Sequence, residues 1–135
     1  MLHADLVKDG MPGRGEQLWA KQIATGLFQI CCIPFFTYGI ALGDTVEADS
    51  ENIIRKVRER SGHKNLRVAI TSEEAIVHND LHAWAEKTGL LYEWFEAKYL
   101  AIDLPPAVEE NLDLTYFQRL TQENKAVFEI EPRPV

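Results

Sequence analysis

From Leu66 to Ile130 the spacing of apolar residues switches between the period of a strand and the period of a helix, and the order of those switches constrains the fold more than any other feature of the chain. Leu66–Ile70 reads as a compact apolar strand. Ser72 with Glu73, Glu74 and Ala75 reads as a helix N-cap followed by an acidic first turn. Val77, Leu81, Trp84, Ala85 and Thr88 then recur at helical steps, and Gly89 stands where a left-handed glycine stops a helix. Leu90–Phe95 and Lys98–Leu104 read as strands, the second halted by Pro105–Pro106. Asn111 or Asp113 caps a second helix through about Lys125, with Leu114, Phe117, Leu120 and Thr121 on one side. Ala126–Ile130 closes as a strand before a Pro132/Pro134 tail. Strand, helix, strand, strand, helix, strand is the order of a ferredoxin-like split βαβ unit. It identifies an architecture and no activity.

The N-terminal half has a different texture, with short strands between turns. Leu2–Val7 is a strand candidate, and Lys8–Gly15 is too rich in Gly and Pro to be regular. Glu16–Ala24 and Leu27–Ile33 form a hairpin around Thr25–Gly26, ended by Pro34. An aromatic connection (Phe35, Phe36, Tyr38) leads to the Leu42–Gly43–Asp44 turn, and Thr45–Ala48 and Ile53–Arg60 form another strand pair. The expectation is an α+β chain: a small barrel-like β unit over residues 1–63, packed on a ferredoxin-like (βαββαβ) unit over residues 64–135. The joint falls in Ser61–Asn65, and one compact domain is the alternative.

At 135 residues the chain can bury a real core, and with 46% hydrophobic and 26% charged residues it has the composition of a globular protein. Cys31 and Cys32 are adjacent, a poor geometry for a mutual disulfide, so they read as reduced thiols in a cytoplasmic setting. No leader with a cleavage site and no apolar stretch of about 18–20 residues is read, which disfavours secretion and membrane spanning.

Three segments carry a family resemblance: Glu16–Gln17–Leu18–Trp19–Ala20, the run from Ile33 through Pro34, Gly39 and Gly43–Asp44 to Ala48, and Arg60–Ser61–Gly62–His63–Lys64–Asn65–Leu66–Arg67–Val68. Together they resemble the bacterial domain-of-unknown-function family 4265. The likeness covers most of residues 16–70, and Leu100–Pro105 more loosely. It implies an architecture and a bacterial, cytosolic context; it carries no reaction and no site residues.

Candidate chemistry is sparse. Ser61 and His63 near Arg60 and Arg67 suggest nucleophilic catalysis or anion binding, but neither an acid to orient the histidine nor a nucleophile elbow is evident, so an interdomain turn is the plainer reading. His78 and His82, at i and i+4 on the first helix, can face one metal. No third ligand is identifiable, and two solvent-facing histidines are the simpler account. Leu42–Gly43–Asp44–Thr45 lacks the lysine and extra glycines of a phosphate cradle. No cofactor is expected.

Charge is the remaining clue. Residues 1–70 hold nine Lys/Arg against eight Asp/Glu, whereas residues 71–135 hold five against thirteen. Glu93, Glu96, Asp103, Glu109, Glu110 and Asp113 surround the second and third strands of the C-terminal unit, interleaved with Tyr92, Trp94 and Tyr99. An aromatic centre rimmed by charge suits a protein interface; a solvated sheet face is the bland alternative. The expected partner surface is Glu93, Glu96, Asp103, Glu109, Glu110, Tyr92 and Tyr99. The expected role is an acidic cytoplasmic immunity-type protein that masks a basic toxin domain. Nucleic acid is opposed by the same charge, since only Arg55–Arg60 is basic. The alternative is a small-ligand sensor or enzyme using a cleft between the units lined by Tyr38, His63 and Arg67, and a homodimer through sheet edges is a third possibility.

Overall fold

The computed structural model describes residues 1–5, 15–109 and 112–132. The elements run β1 (Leu2–Asp5), β2 (Gly15–Leu18), β3 (Ala20–Ala24), β4 (Leu27–Ile30), β5 (Thr45–Ala48), β6 (Ile54–Glu59), β7 (Lys64–Ile70), α1 (Ala75–Thr88), β8 (Tyr92–Phe95), β9 (Tyr99–Leu104), α2 (Pro106–Glu109), α3 (Thr115–Gln122) and β10 (Ala126–Glu131). The Gly/Pro-rich stretch over residues 8–14, the end of the first strand candidate at Val7, the Asn111 cap and Pro134 lie outside the described residues.

The chain is α+β and built mostly of strands. In its C-terminal part four strands form one sheet in the order β10–β7–β9–β8, every neighbouring pair antiparallel. Strand alternation divides its side chains cleanly. Leu66, Val68 and Ile70 of β7, with Leu100, Ile102 and Leu104 of β9, point into a core completed by Val77, Leu81 and Ala85 of α1 and Phe117 and Leu120 of α3. Burying each such aliphatic side chain contributes about 1.5–3 kcal/mol. Trp84 is only partly buried, and packs edge-on to Phe117 with 4.8 Å between ring centroids.

The helix ends depart slightly from expectation. α1 starts at Ala75, so Glu73 and Glu74 precede it, and Ser72 accepts the Glu74 amide at 3.1 Å instead of capping the helix itself. Gly89 does end it, in the left-handed conformation at φ 73°. Asp113 accepts the Thr115 amide at 2.9 Å just before α3. Pro106 opens the short α2, a position that needs no amide donor.

The N-terminal strands form a two-stranded sheet, β1–β2, and a four-stranded one, β3–β4–β5–β6, around a second core of Leu2, Ala4, Leu18, Ile30, Ile40 and Val46. The expected barrel is corrected here. The sheets approach each other twice, where β2 runs on through Trp19 into β3 and where His3 bridges Ile53, but among the described residues the latter is an isolated bridge and no barrel closes. The strands are four to six residues long, and register shifts interrupt β3–β4 and β5–β6. Such irregularities increase local twist, so β6 meets β1 at a point instead of along a ladder.

The two parts meet on the face of the C-terminal sheet that the helices leave uncovered. Pairing across the strands lines up Glu93, Ala101, Arg67 and Glu129 in one row and Phe95, Tyr99, Ala69 and Val127 in the next. Asp103, Asn65 and Glu131 form a third row. The connection from Pro34 to Asp44 lies over this face. Phe35 and Phe36 pack on Phe95 and Tyr99, with centroids 4.9–6.3 Å apart.

Candidate functional site

Arg67 sits at the centre of this seam and is 2% exposed. Its Nε and Nη2 donate to the Pro34 carbonyl at 3.3 and 3.0 Å, and Nη2 also donates to the Thr37 carbonyl at 2.6 Å and lies 3.0 Å from Glu131. Glu131 accepts the Asn65 amide at 2.7 Å and the Gly39 N–H at 2.8 Å. The Tyr38 ring covers the guanidinium, 5.1 Å from Cζ to centroid, while its hydroxyl donates to Glu129 at 2.7 Å. That bond raises the Tyr38 pKa. Tyr99 donates to the Phe35 carbonyl at 2.6 Å, and burial pushes its pKa up to about 12.

The connection is pinned from its other side by two carboxylates. Glu16 accepts the amides of Phe35, Phe36 and Thr37 and the Thr37 hydroxyl, at 2.6–3.1 Å. Asp44, buried, accepts the amides of Ala41 and Ser61. Gly62 holds φ 90° close to Pro106, where a Cβ would come within 2.9 Å of the proline Cγ.

Of the three expected cleft residues, Tyr38 and Arg67 come together. His63 makes a separate pair in the adjoining row, its Nδ1 2.9 Å from both oxygens of Asp103. The orienting acid missing from the sequence reading is therefore Asp103. Ser61, however, directs its hydroxyl to the Leu42 carbonyl and Asp44, and its oxygen accepts the His63 amide. It is engaged as a turn residue.

The expected partner surface divides. Glu93 and Glu96 are exposed at the edge of the sheet, Glu96 with φ 59° in the turn after β8. Asp103 is 2% exposed and turned to His63, away from any surface. Burial raises its pKa, with His63 pulling the other way. Tyr92 is half-buried, and its hydroxyl donates to Glu86, which raises the tyrosine pKa. Tyr99 belongs to the seam. Glu109 closes α2, and Glu110 lies outside the described residues.

His78 and His82 do stack in parallel at 6.3 Å, beside Trp94. The His78 Nδ1 donates to the Ala97 carbonyl at 2.6 Å and the His82 Nδ1 accepts the Trp94 indole N–H at 3.1 Å, so both rings are held by structural bonds. Among the described residues no group of three His, Cys, Asp or Glu side chains is arranged for a metal ion. Cys31 and Cys32 are both free, Cys31 exposed, and burial pushes the Cys32 pKa up to about 11. No helix among the described residues is long and apolar enough to cross a membrane.

Sequence reasoning missed Asn65, Glu129, Glu131 and Glu16. A signal existed for the first three. Polar residues alternate with apolar ones along both β7 and β10, which puts Asn65, Arg67, Glu129 and Glu131 on one face once the strands pair.

No curated protein matches the chain. Among solved structures, a hypothetical protein from Neisseria gonorrhoeae is similar, with a TM-score of 0.70 at 20% identity over 86% of this chain and 82% of that one. That likeness speaks for the fold alone. The model of a family described as a domain of unknown function (DUF4265) matches residues 16–127, and its span takes in the seam residues Glu16, Tyr38, His63, Arg67 and Asp103. The chain belongs to the DUF4265 family.

Proposed function

We propose that the protein is an acidic cytoplasmic binding protein of the immunity type, which neutralises a basic toxin domain by covering its electropositive surface. The observation that carries this reading is the exposed margin of the sheet at the edge strand β8. Leu91 just before β8 and Glu93 within it are exposed on this edge (Leu91 64%), Phe95 remains 41% exposed beside the Phe35 and Phe36 rings that pack on it, and Glu96 stands at the tip. Apolar anchors set among carboxylates match the anatomy of a protein interface, and the net charge of −7 favours fast encounter with a cationic partner. The basic strand β6 is partly neutralised within the chain, Arg55 by Asp49 and Lys56 and Arg58 by Glu47, which weighs against nucleic acid as the partner. The strand order β10–β7–β9–β8, with helices between β7 and β8 and between β9 and β10, supports a ferredoxin-like reading of the C-terminal unit. Two separate cores support a division near residue 63.

The test is co-expression with the polypeptide encoded immediately upstream. Wild-type protein is expected to restore growth, whereas Glu93→Lys/Glu96→Lys does not, although it folds. An upstream product without toxicity, or rescue unaffected by the double charge reversal, overturns the reading.

A further inference from the structure

The hydrogen bonding of Arg67 is lopsided. Nη2 serves Pro34, Thr37 and Glu131, while Nη1 is buried without a hydrogen-bond partner among the described residues. The Glu129 carboxylate oxygen 4.0 Å from Nη1 already accepts the Tyr38 hydroxyl. The Tyr38 ring offsets part of the deficit through its π face, but an acceptor is still lacking. Arg67 also forms a wall of a cavity of about 250 Å³ on the uncovered sheet face, with Ala69, Tyr99, Val127, Phe128 and Glu129. Val127 is 50% exposed, and the Glu129 side chain is partly open to solvent.

These groups define what fits. The space is below the roughly 300–1,000 Å³ of small-molecule sites and suits one side chain. Among the described residues, two carboxylates, Glu131 at 3.0 Å and Glu129 at 4.0 Å, face the one guanidinium of Arg67, a balance that disfavours an anion. The missing acceptor is therefore a neutral carbonyl, and Glu129, which shares the one guanidinium with Glu131, calls for a further cation. Between them lie the methyl groups of Val127 and Ala69 and the ring of Tyr99, a surface for an aliphatic stem.

We propose that this groove docks one lysine or arginine from an extended segment of a partner protein. The segment's main-chain carbonyl accepts from Arg67 Nη1, its side-chain stem lies on Val127 and Ala69, and its cationic head reaches Glu129. The inference rests on the proposed function only for the sign of the partner's charge. It places a second contact on the same sheet face as Glu93, at the opposite edge.

The probe is the blocked peptide acetyl-Gly-Lys-Gly-amide, titrated into the ¹⁵N-labelled full chain and followed by NMR, beside matched peptides with norleucine or glutamate in place of lysine. Saturable shifts are expected at Ala69, Val127 and Glu129 and at the Arg67 side chain, with a millimolar dissociation constant for the lysine peptide and none measurable for the glutamate one. Glu129→Gln, which keeps an acceptor for Tyr38, should weaken binding about two- to fivefold. Val127→Arg, which supplies a resident cation at an exposed position, should abolish it. No saturable shift with the lysine peptide, equal binding of the norleucine peptide, or unchanged binding by Glu129→Gln overturns the proposal. The outcome is separable from that of the toxin assay: peptide binding that fails while Glu93→Lys/Glu96→Lys still blocks rescue sinks the groove alone, and the converse pair of results sinks the immunity reading alone.

Discussion

Replacing Arg67 with methionine should test whether the seam is held by the guanidinium or merely tolerates it. Methionine keeps much of the length and apolar stem but removes the cation 3.0 Å from Glu131, which is itself 6% exposed. Breaking a buried ion pair from one side costs about 3–5 kcal/mol, because the remaining charge is left without compensation. Part of this is recoverable. Arg67→Met/Glu131→Gln removes the stranded charge while the Gln amide oxygen still accepts from Asn65 or Gly39. The double variant should therefore be more stable than Arg67→Met by at least about 1 kcal/mol. Urea titrations followed by far-UV circular dichroism and tryptophan fluorescence read both differences. With a slope of about 1–3 kcal/mol per molar, the single variant should move the midpoint down by about 2 M. A loss under about 1 kcal/mol for Arg67→Met, or a double variant no more stable than the single, would refute the assignment of the seam to this pair.

The Asp103 carboxyl has its pKa raised by burial, so its contribution to stability is fully present below the ordinary value of 3.8 and is lost as pH rises through the elevated folded value. Asp103→Asn, which can still accept from His63, should gain in stability relative to wild type as pH rises above 3.8; parallel urea-denaturation curves across that rise would contradict the burial argument. The thiols should react in order. With Cys31 exposed and the Cys32 pKa pushed up to about 11, Ellman's reagent at pH 8 should modify Cys31 first in the native protein, and single Cys→Ser variants report which thiol reacts. Equal rates for the two would mean that Cys32 is not shielded as described.

Local periodicity carried the elements well and the tertiary arrangement poorly. The alternation of Leu66, Val68 and Ile70 marks β7 because those residues face a core, and Gly89 ends α1 because its backbone needs a positive φ. Nothing local distinguishes Asp103, one carboxylate among many in an acidic half, from Glu93 two strand positions from its cross-strand neighbourhood. Only the pairing of β7 with β9 sets Asp103 beside Asn65 and close to His63. Arg67 and Tyr38 stood out in the sequence by their chemistry, and the structure brings them together in the seam. Their partners Glu129 and Glu131 lie more than sixty residues further on, and the alternation along β10 that puts those two on one face does not say which strand it pairs with. The barrel expectation failed for a related reason: strand propensity says where chain extends, while register shifts decide whether the ends of a curled sheet meet.

Arg67 grips the Pro34–Thr37 connection through peptide oxygens, and Glu16 grips it through peptide hydrogens. Such a joint depends on the path of the main chain more than on the identity of the residues it passes through. Descendants of this chain could exchange Phe35 or Phe36 for other large apolar residues and keep the same docking angle, whereas a single insertion between Pro34 and Thr37 would put the oxygens out of register and unlatch the halves. Tolerance to substitution and intolerance to length change in so short a stretch is the imprint this joint should leave across its relatives.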